Sequence, residues 1–224
     1  MKLLREGEVI VACETLRDEL EAAFSQAGGE LPVIWIEQGL HNLPKKLAVR
    51  LQEQLDAICD PEVHRVLLAF GNCGNAVHGL TSGDYELVVP RVDDCISLLL
   101  GSDAHREEVA RELAAIYLTH GWMRGERTPL VEYEHAAKRY GEEQAREVIE
   151  MMYAHYRTIA LLDTGTYPMD ALMEETESVS KLLGLPRTCV AASYDYLVRL
   201  VQGPWDNDEF VVVAPHTQIS FLQA

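Results

Sequence analysis

Cysteines at positions 13, 59, 73, 95 and 189 are the residues with most chemistry to offer in this 224-residue chain. Thiolates are natural ligands of zinc and of iron-sulfur clusters. A single activated thiolate is instead a nucleophile. No two of the five form a CxxC pair, so no zinc-ribbon or ferredoxin motif is present. Any metal centre has to be assembled by the fold. An odd number of widely spaced cysteines, with no export signal in the opening residues, points to reduced thiols in the cytoplasm rather than to disulfides.

Cys73 has the most specific setting, inside Gly71-Asn-Cys-Gly-Asn-Ala-Val-His-Gly79. Glycines there let the backbone come close to a ligand, which makes Asn72 and Asn75 candidate substrate contacts. A helix following this turn would place Cys73 at its N-terminus, where a thiol ionises more readily. The segment is neither GxGxxG nor a P-loop, and it lacks the P-loop lysine. A tight turn packed on a sheet explains it equally well.

Arg91-Val-Asp-Asp-Cys95 is the next cluster. Arg91 can grip a carboxylate or phosphate with two parallel hydrogen bonds. One of Asp93 and Asp94 is expected to cap a helix, and the other, taken as Asp94, to move a proton. His78 and His120 are the candidate histidines, with His120 the second proton-transfer group. His41, His64 and His216 read as loop residues, and His105, His135 and His155 as helix surface. Trp122 and Trp205 each follow a turn. Trp122 could wall a substrate, although core packing suits large aromatics as well.

The elements that must position these residues alternate. Val9–Ala12, Val33–Ile36 and Val66–Phe70 read as buried strands, separated by helical patterns over Glu14–Gln26 and Leu43–Ile58, the latter with Asn42 as cap. Further strands are expected at Tyr85–Val89, Ala115–Thr119, Ile159–Asp163, Cys189–Ala192 and Phe210–Ala214. Helices are expected at Asp93–Leu100, from an Asp103 cap to Leu113, at Val131–Arg139, Glu142–His155, Met169–Leu183 and Tyr194–Val201. Strands alternating with helices imply an α/β fold with mostly parallel sheet flanked by helices, Rossmann-like. The chain reads as one α/β unit with possible pseudo-equivalent lobes at 1–84 and 85–224. Ligands of open α/β sheets bind beyond the carboxyl ends of the strands. Cys13, Cys73 and Cys95 all fall just past such ends, whereas Cys59 and Cys189 do not and read as structural. Three thiolates with a fourth position open is the pattern of a catalytic rather than a structural zinc site. Free cysteines are also common as small buried hydrophobes.

Composition removes several functions. Lys and Arg total 19 against 36 Asp and Glu, a formal net charge of -17. Such a chain repels phosphate backbones and anionic lipid surfaces, so neither nucleic acid nor membrane is an expected partner. No apolar run approaches the ~20 residues of a membrane span.

The ordered landmarks Ala12-Cys13, Gly71-Asn-Cys-Gly-Asn75, Pro90-Arg-Val-Asp-Asp-Cys-Ile-Ser-Leu-Leu-Leu-Gly101, Leu118-Thr-His-Gly-Trp122, Asp163-Thr-Gly165 and Gly203-Pro-Trp205 before Phe210–Val213 resemble the DUF1638 family. That family's pattern carries histidine where Asp93 stands and glycine where His216 stands. The resemblance favours Cys13, Cys73 and Cys95 over the other two cysteines as metal ligands. It implies an association with corrinoid-dependent methyltransferases and one-carbon metabolism. The leading expectation is therefore a cytoplasmic metalloprotein holding zinc or an iron-sulfur cluster. It would be an enzyme, a transferase or lyase using the metal as Lewis acid on a small anionic or thiol substrate. One rival is a non-catalytic accessory or metal-delivery partner of a corrinoid methyltransferase. The other is a metal-free enzyme with Cys73 as nucleophile.

Overall fold

The computed structural model describes residues 3–125, 128–206 and 208–220. The apolar run at the start forms β1 (Glu8–Cys13), in which Ile10, Val11 and Ala12 are wholly buried. A 3-10 turn (Glu14–Leu16) leads into α1 (Arg17–Ala27), which buries Leu20, Ala23 and Phe24 at helical spacing. β2 (Val33–Ile36) is followed by a 3-10 turn (Leu40–Asn42) and α2 (Pro44–Asp56). β3 (Arg65–Ala69) runs through the 71–79 turns to β4 (Glu86–Pro90), then α3 (Cys95–Leu100) and α4 (Asp103–Leu113).

The second half contains β5 (Ala115–Leu118), α5 (His120–Met123), α6 (Pro129–Tyr140), α7 (Glu142–Tyr153) and β6 (Thr158–Asp163). α8 (Met169–Glu175), α9 (Glu177–Leu183), β7 (Arg187–Ala191), α10 (Asp195–Gln202) and β8 (Phe210–Val213) complete it.

Two sheets result. The first has the order β2-β1-β3-β4-β8, parallel except for β8, which lies antiparallel on β4. The second is the parallel trio β5-β6-β7. Helices flank both, so the α/β, Rossmann-like expectation holds. β4 and β8 pair within the first sheet, so strand pairing groups 115–191 by itself. The main core lies on the first sheet, and a smaller apolar cluster around Leu118, Leu161 and Leu172 serves the second. Among the described residues no helix is long and apolar enough to cross a membrane.

Several local expectations need correction. Asn42 ends the 3-10 turn and does not cap α2, because Pro44 starts that helix with no side-chain cap. Ser102, not Asp103, caps α4 by accepting from the His105 amide. Asp103 instead accepts a hydrogen bond from the Asp93 amide at 2.8 Å. The helix expected over Met169–Leu183 breaks at Thr176, where α8 ends. No helix follows Cys73: Cys73, Gly74 and Asn75 have φ of 45, 69 and 67°, left-handed values that preclude one.

Candidate functional site

Strand order reverses between β1 and β3, since β2 lies on the outer side of β1 and β4 on the outer side of β3. Open α/β sheets form their ligand crevice at this switch point. Cys13 is the last residue of β1, Cys73 follows β3, and Cys95 is the first residue of α3 after β4. Two close backbone approaches make this arrangement possible. A Cβ on Gly71 would lie 2.3 Å from the Asp94 carbonyl carbon, so only glycine lets the Cys73 turn rest on the Cys95 turn. The Asn72 and Cys73 amides then donate to the Val92 and Asp93 carbonyls, each at 2.8 Å. A Cβ on Gly121 would lie 2.3 Å from the Thr15 carbonyl oxygen, which seats the start of α5 against the turn after Cys13.

The three thiols consequently meet. Cys73 Sγ and Cys95 Sγ are 3.6 Å apart. Cys13 lies near enough to Cys95 for the two thiols to influence each other, and its Sγ is 3.0 Å from Thr15 Oγ1. Cys13 and Cys73 are each 8% exposed. The links run from Cys13 to Cys95 to Cys73. No three of the described His, Cys, Asp or Glu side chains already surround a common point at ligand distance, so closing the triangle takes side-chain rotation. The Cys13 thiol is pushed well above its ordinary value by its hydrogen bond to Cys95, by burial and by the Cys95 charge. For Cys95 the Cys13 hydrogen bond acts downward. The bond to Cys73, burial and the Cys73 charge outweigh it, and the thiol is raised. Starting a helix does not make Cys95 a ready thiolate.

The thiols line a cavity of about 460 Å³. Asp94, Trp122, His41, Arg106, Tyr117 and Glu132 also line it, as do Tyr153 and Tyr156. A second groove, bordered by Arg17 and Arg124, shares Glu37, Gly39 and Leu40 with it. Asp94 is committed on both oxygens. Its Oδ1 accepts from the Ser97 amide at 2.7 Å, capping α3, and its Oδ2 is 3.4 Å from Arg106 Nε. The Arg106 guanidinium stands 4.3 Å from the Tyr117 ring centre. The His41 ring centre is 6.5 Å from that of Trp122. Burial lowers the His41 pKa, while the Asp94 and Glu132 charges pull it up. Burial comes first, so His41 favours its neutral form. Tyr153 donates to Glu132 Oε2 at 3.1 Å, and burial, then the Glu132 charge and this bond, raise its pKa.

The other sequence candidates lie elsewhere. Arg91, Asn72, Asn75 and His120 do not line this cavity. The Asn72 side-chain Nδ2 donates to Asn75 Oδ1 at 2.8 Å, closing the turn. Arg91 gives its backbone amide to the Glu209 carbonyl, and its Nε is buried without a hydrogen-bond partner among the described residues. His78 is exposed. Cys59 and Cys189 are exposed, apart from the other three, so the structural role expected of them is not one of burial.

His120 belongs to a different cluster at the strand ends of the second sheet. Its Nδ1 is 2.9 Å from Asp18 Oδ2, and its Nε2 is 3.6 Å from Glu175 Oε1. Beside it, Glu19 is wholly buried. Thr164 Oγ1 donates to Glu19 Oε1 at 3.0 Å, and Glu19 Oε2 has no hydrogen-bond partner among the described residues.

Sequence reasoning missed His41, Arg106, Tyr117, Glu132, Tyr153 and Tyr156. His41 carried a usable signal, because it lies in the loop past the carboxyl end of β2 and obeys the same strand-end rule. The cavity face of α4, α6 and α7 left no trace in their spacing, since those helices also carry polar residues facing solvent.

The DUF1638 family model, described as a protein of unknown function, matches residues 35–201, about three quarters of the chain. The chain belongs to this family. Cys73 and Cys95 lie within the matched residues, and Cys13 lies before them. No curated protein and no solved structure matches the chain.

Proposed function

We propose that Cys13, Cys73 and Cys95 hold one soft metal centre, zinc or iron-sulfur, and that the DUF1638 protein is an enzyme acting on a small molecule in the adjoining cavity. The carrying observation is the Cys73–Cys95 separation of 3.6 Å. Two thiolates on one tetrahedral zinc, with Zn–S near 2.3 Å, stand about 3.8 Å apart. The pair therefore fits the ion almost unmoved, and a rotation of Cys13 supplies the third sulfur. When bound, such a centre supplies a Lewis acid that lowers the pKa of a coordinated thiol or water.

The chain's own residues do the rest. Thr15 orients the Cys13 sulfur. The rings of Trp122 and Tyr117 help wall the cavity. Neutral His41 is placed to accept a proton, with Asp94 and Glu132 to stabilise the charge it gains. Asp94 positions Cys95 by capping α3 and holding Arg106. Thiol activation suits methyl transfer, the corrinoid-linked one-carbon chemistry that the family resemblance implies.

Metal analysis of anaerobically purified protein tests the reading. About one equivalent of zinc or one cluster per chain is expected, lost in Cys73→Ser. Metal-free protein that binds none on addition of zinc or of iron and sulfide overturns it. Co-purification with a methyltransferase, without turnover of a one-carbon substrate, would assign the accessory role. Alkylation of Cys73 alone by iodoacetamide would assign the nucleophile.

A further inference from the structure

The same distance that suits a metal also suits a second fate. Cys73 Sγ and Cys95 Sγ stand 3.6 Å apart, and a disulfide needs them near 2.05 Å, an approach of about 1.5 Å. Cys73 sits in a turn with left-handed backbone, and Cys95 opens the short helix α3, so neither is fixed inside a strand. Both line the cavity, through which a small reagent reaches them. Cys13 is different: it ends a central strand, and Thr15 holds its sulfur.

We propose that Cys73 and Cys95 are a redox modification site that exchanges with low-molecular-weight disulfides of the glutathione class, forming a Cys73–Cys95 bond that excludes metal. One thiolate of the pair attacks the glutathione disulfide, breaking its S–S bond and releasing one glutathione. The second thiol loses its proton to solvent and displaces the remaining glutathione from the mixed disulfide. The protein dithiol is oxidised by two electrons, one glutathione disulfide is reduced to two thiols, and the two thiol protons end on glutathione. Exclusion of metal rests on the three-thiolate reading, because the bond consumes two of its ligands. Formation of the bond rests on the Cys73–Cys95 geometry alone. Cys59 and Cys189 are exposed and apart, so they form mixed disulfides and serve as internal controls.

Metal-free protein is treated with oxidised glutathione, and the intact mass and non-reduced peptides are read. A loss of two hydrogens, with peptides joining Cys73 to Cys95, is expected. In Cys95→Ser the expected result is no internal bond and a glutathione adduct on Cys73. Adducts on Cys59 and Cys189 alone overturn the proposal, as does a bond joining Cys13 to Cys95. Repeating the treatment after zinc addition separates the two readings. Protection by zinc supports both. A Cys73–Cys95 bond formed in a protein that binds neither zinc nor, on addition of iron and sulfide, a cluster sinks the metal centre and leaves the exchange site standing.

Discussion

The carboxyl ends of the two sheets place polar residues alike and use them differently. At the first sheet Cys13, Cys73 and Cys95 face a cavity that Arg106 also lines, and the Cys73 and Cys95 sulfurs are 3.6 Å apart. At the second, His120, Asp18, Glu175 and Arg124 join through ion pairs, and Thr164 answers Glu19. The strand-end rule locates polar clusters in both. What sets the thiols apart is a shared volume: all three border one cavity, whereas in the His120 cluster Arg124 borders the second groove and both Arg124 and Glu175 are exposed.

The largest contrast is expected from metal binding. Cys73→Ser or Cys95→Ser should lower zinc affinity by at least about 100-fold, measured by competition with a chromogenic chelator. His120→Ala should leave that affinity unchanged. If His120→Ala loses zinc as the cysteine variants do, the division between the regions fails.

Protons offer the next test. Cys13 and Cys95 have raised pKa values in the folded protein, so zinc must displace their protons. Affinity should rise with pH between 6 and 8 by about tenfold per unit for each proton released. The sign for stability follows from the same shift. The contribution of the protonated thiols is fully present below the ordinary value of 9.0 and is lost as pH rises through the folded values. Denaturation of metal-free protein should therefore show stability falling in the alkaline range, and a rise there would contradict the raised thiols.

Gly71→Ala should cost about 1–3 kcal/mol, because its Cβ meets the Asp94 backbone, and should also weaken zinc binding by parting the two cysteine turns. Urea denaturation and chelator competition read the two effects.

The smallest effects belong to the second region. Burial first, and the Asp18 charge after it, raise the Glu19 pKa, against downward pulls from its own amide and Thr164. The stability of its neutral form is fully present below 4.5 and lost as pH rises through the folded value. Glu19→Gln should remove that pH dependence and stabilise the protein at neutral pH, with zinc affinity unaltered.

Much of this was legible in the chain. Short apolar strands separated by periodic helices gave the α/β class, and the ends of β1, β3 and β4 gave the three cysteines. Gly71 and Gly121 were visible as turn residues, but the backbone each must admit lies 23 and 106 residues away along the chain. His120 misled because a histidine past a strand end looks the same whether it meets a cavity or Asp18. Arg91 misled because its neighbour Glu209 comes from the approach to β8, an antiparallel strand that sequence order does not place. Glu132 and Tyr153 were invisible because the face of the α6–α7 pair toward the cavity is chosen by tertiary packing.

The central claim is that three sulfurs hold one metal at the switch point of the first sheet. X-ray absorption at the metal edge of anaerobically purified or zinc-loaded protein addresses it most directly. With zinc bound, the account expects about three sulfur scatterers at about 2.3 Å, one fewer in Cys13→Ser. A metal shell made only of nitrogen and oxygen, or a sulfur count unchanged in Cys13→Ser, would contradict it.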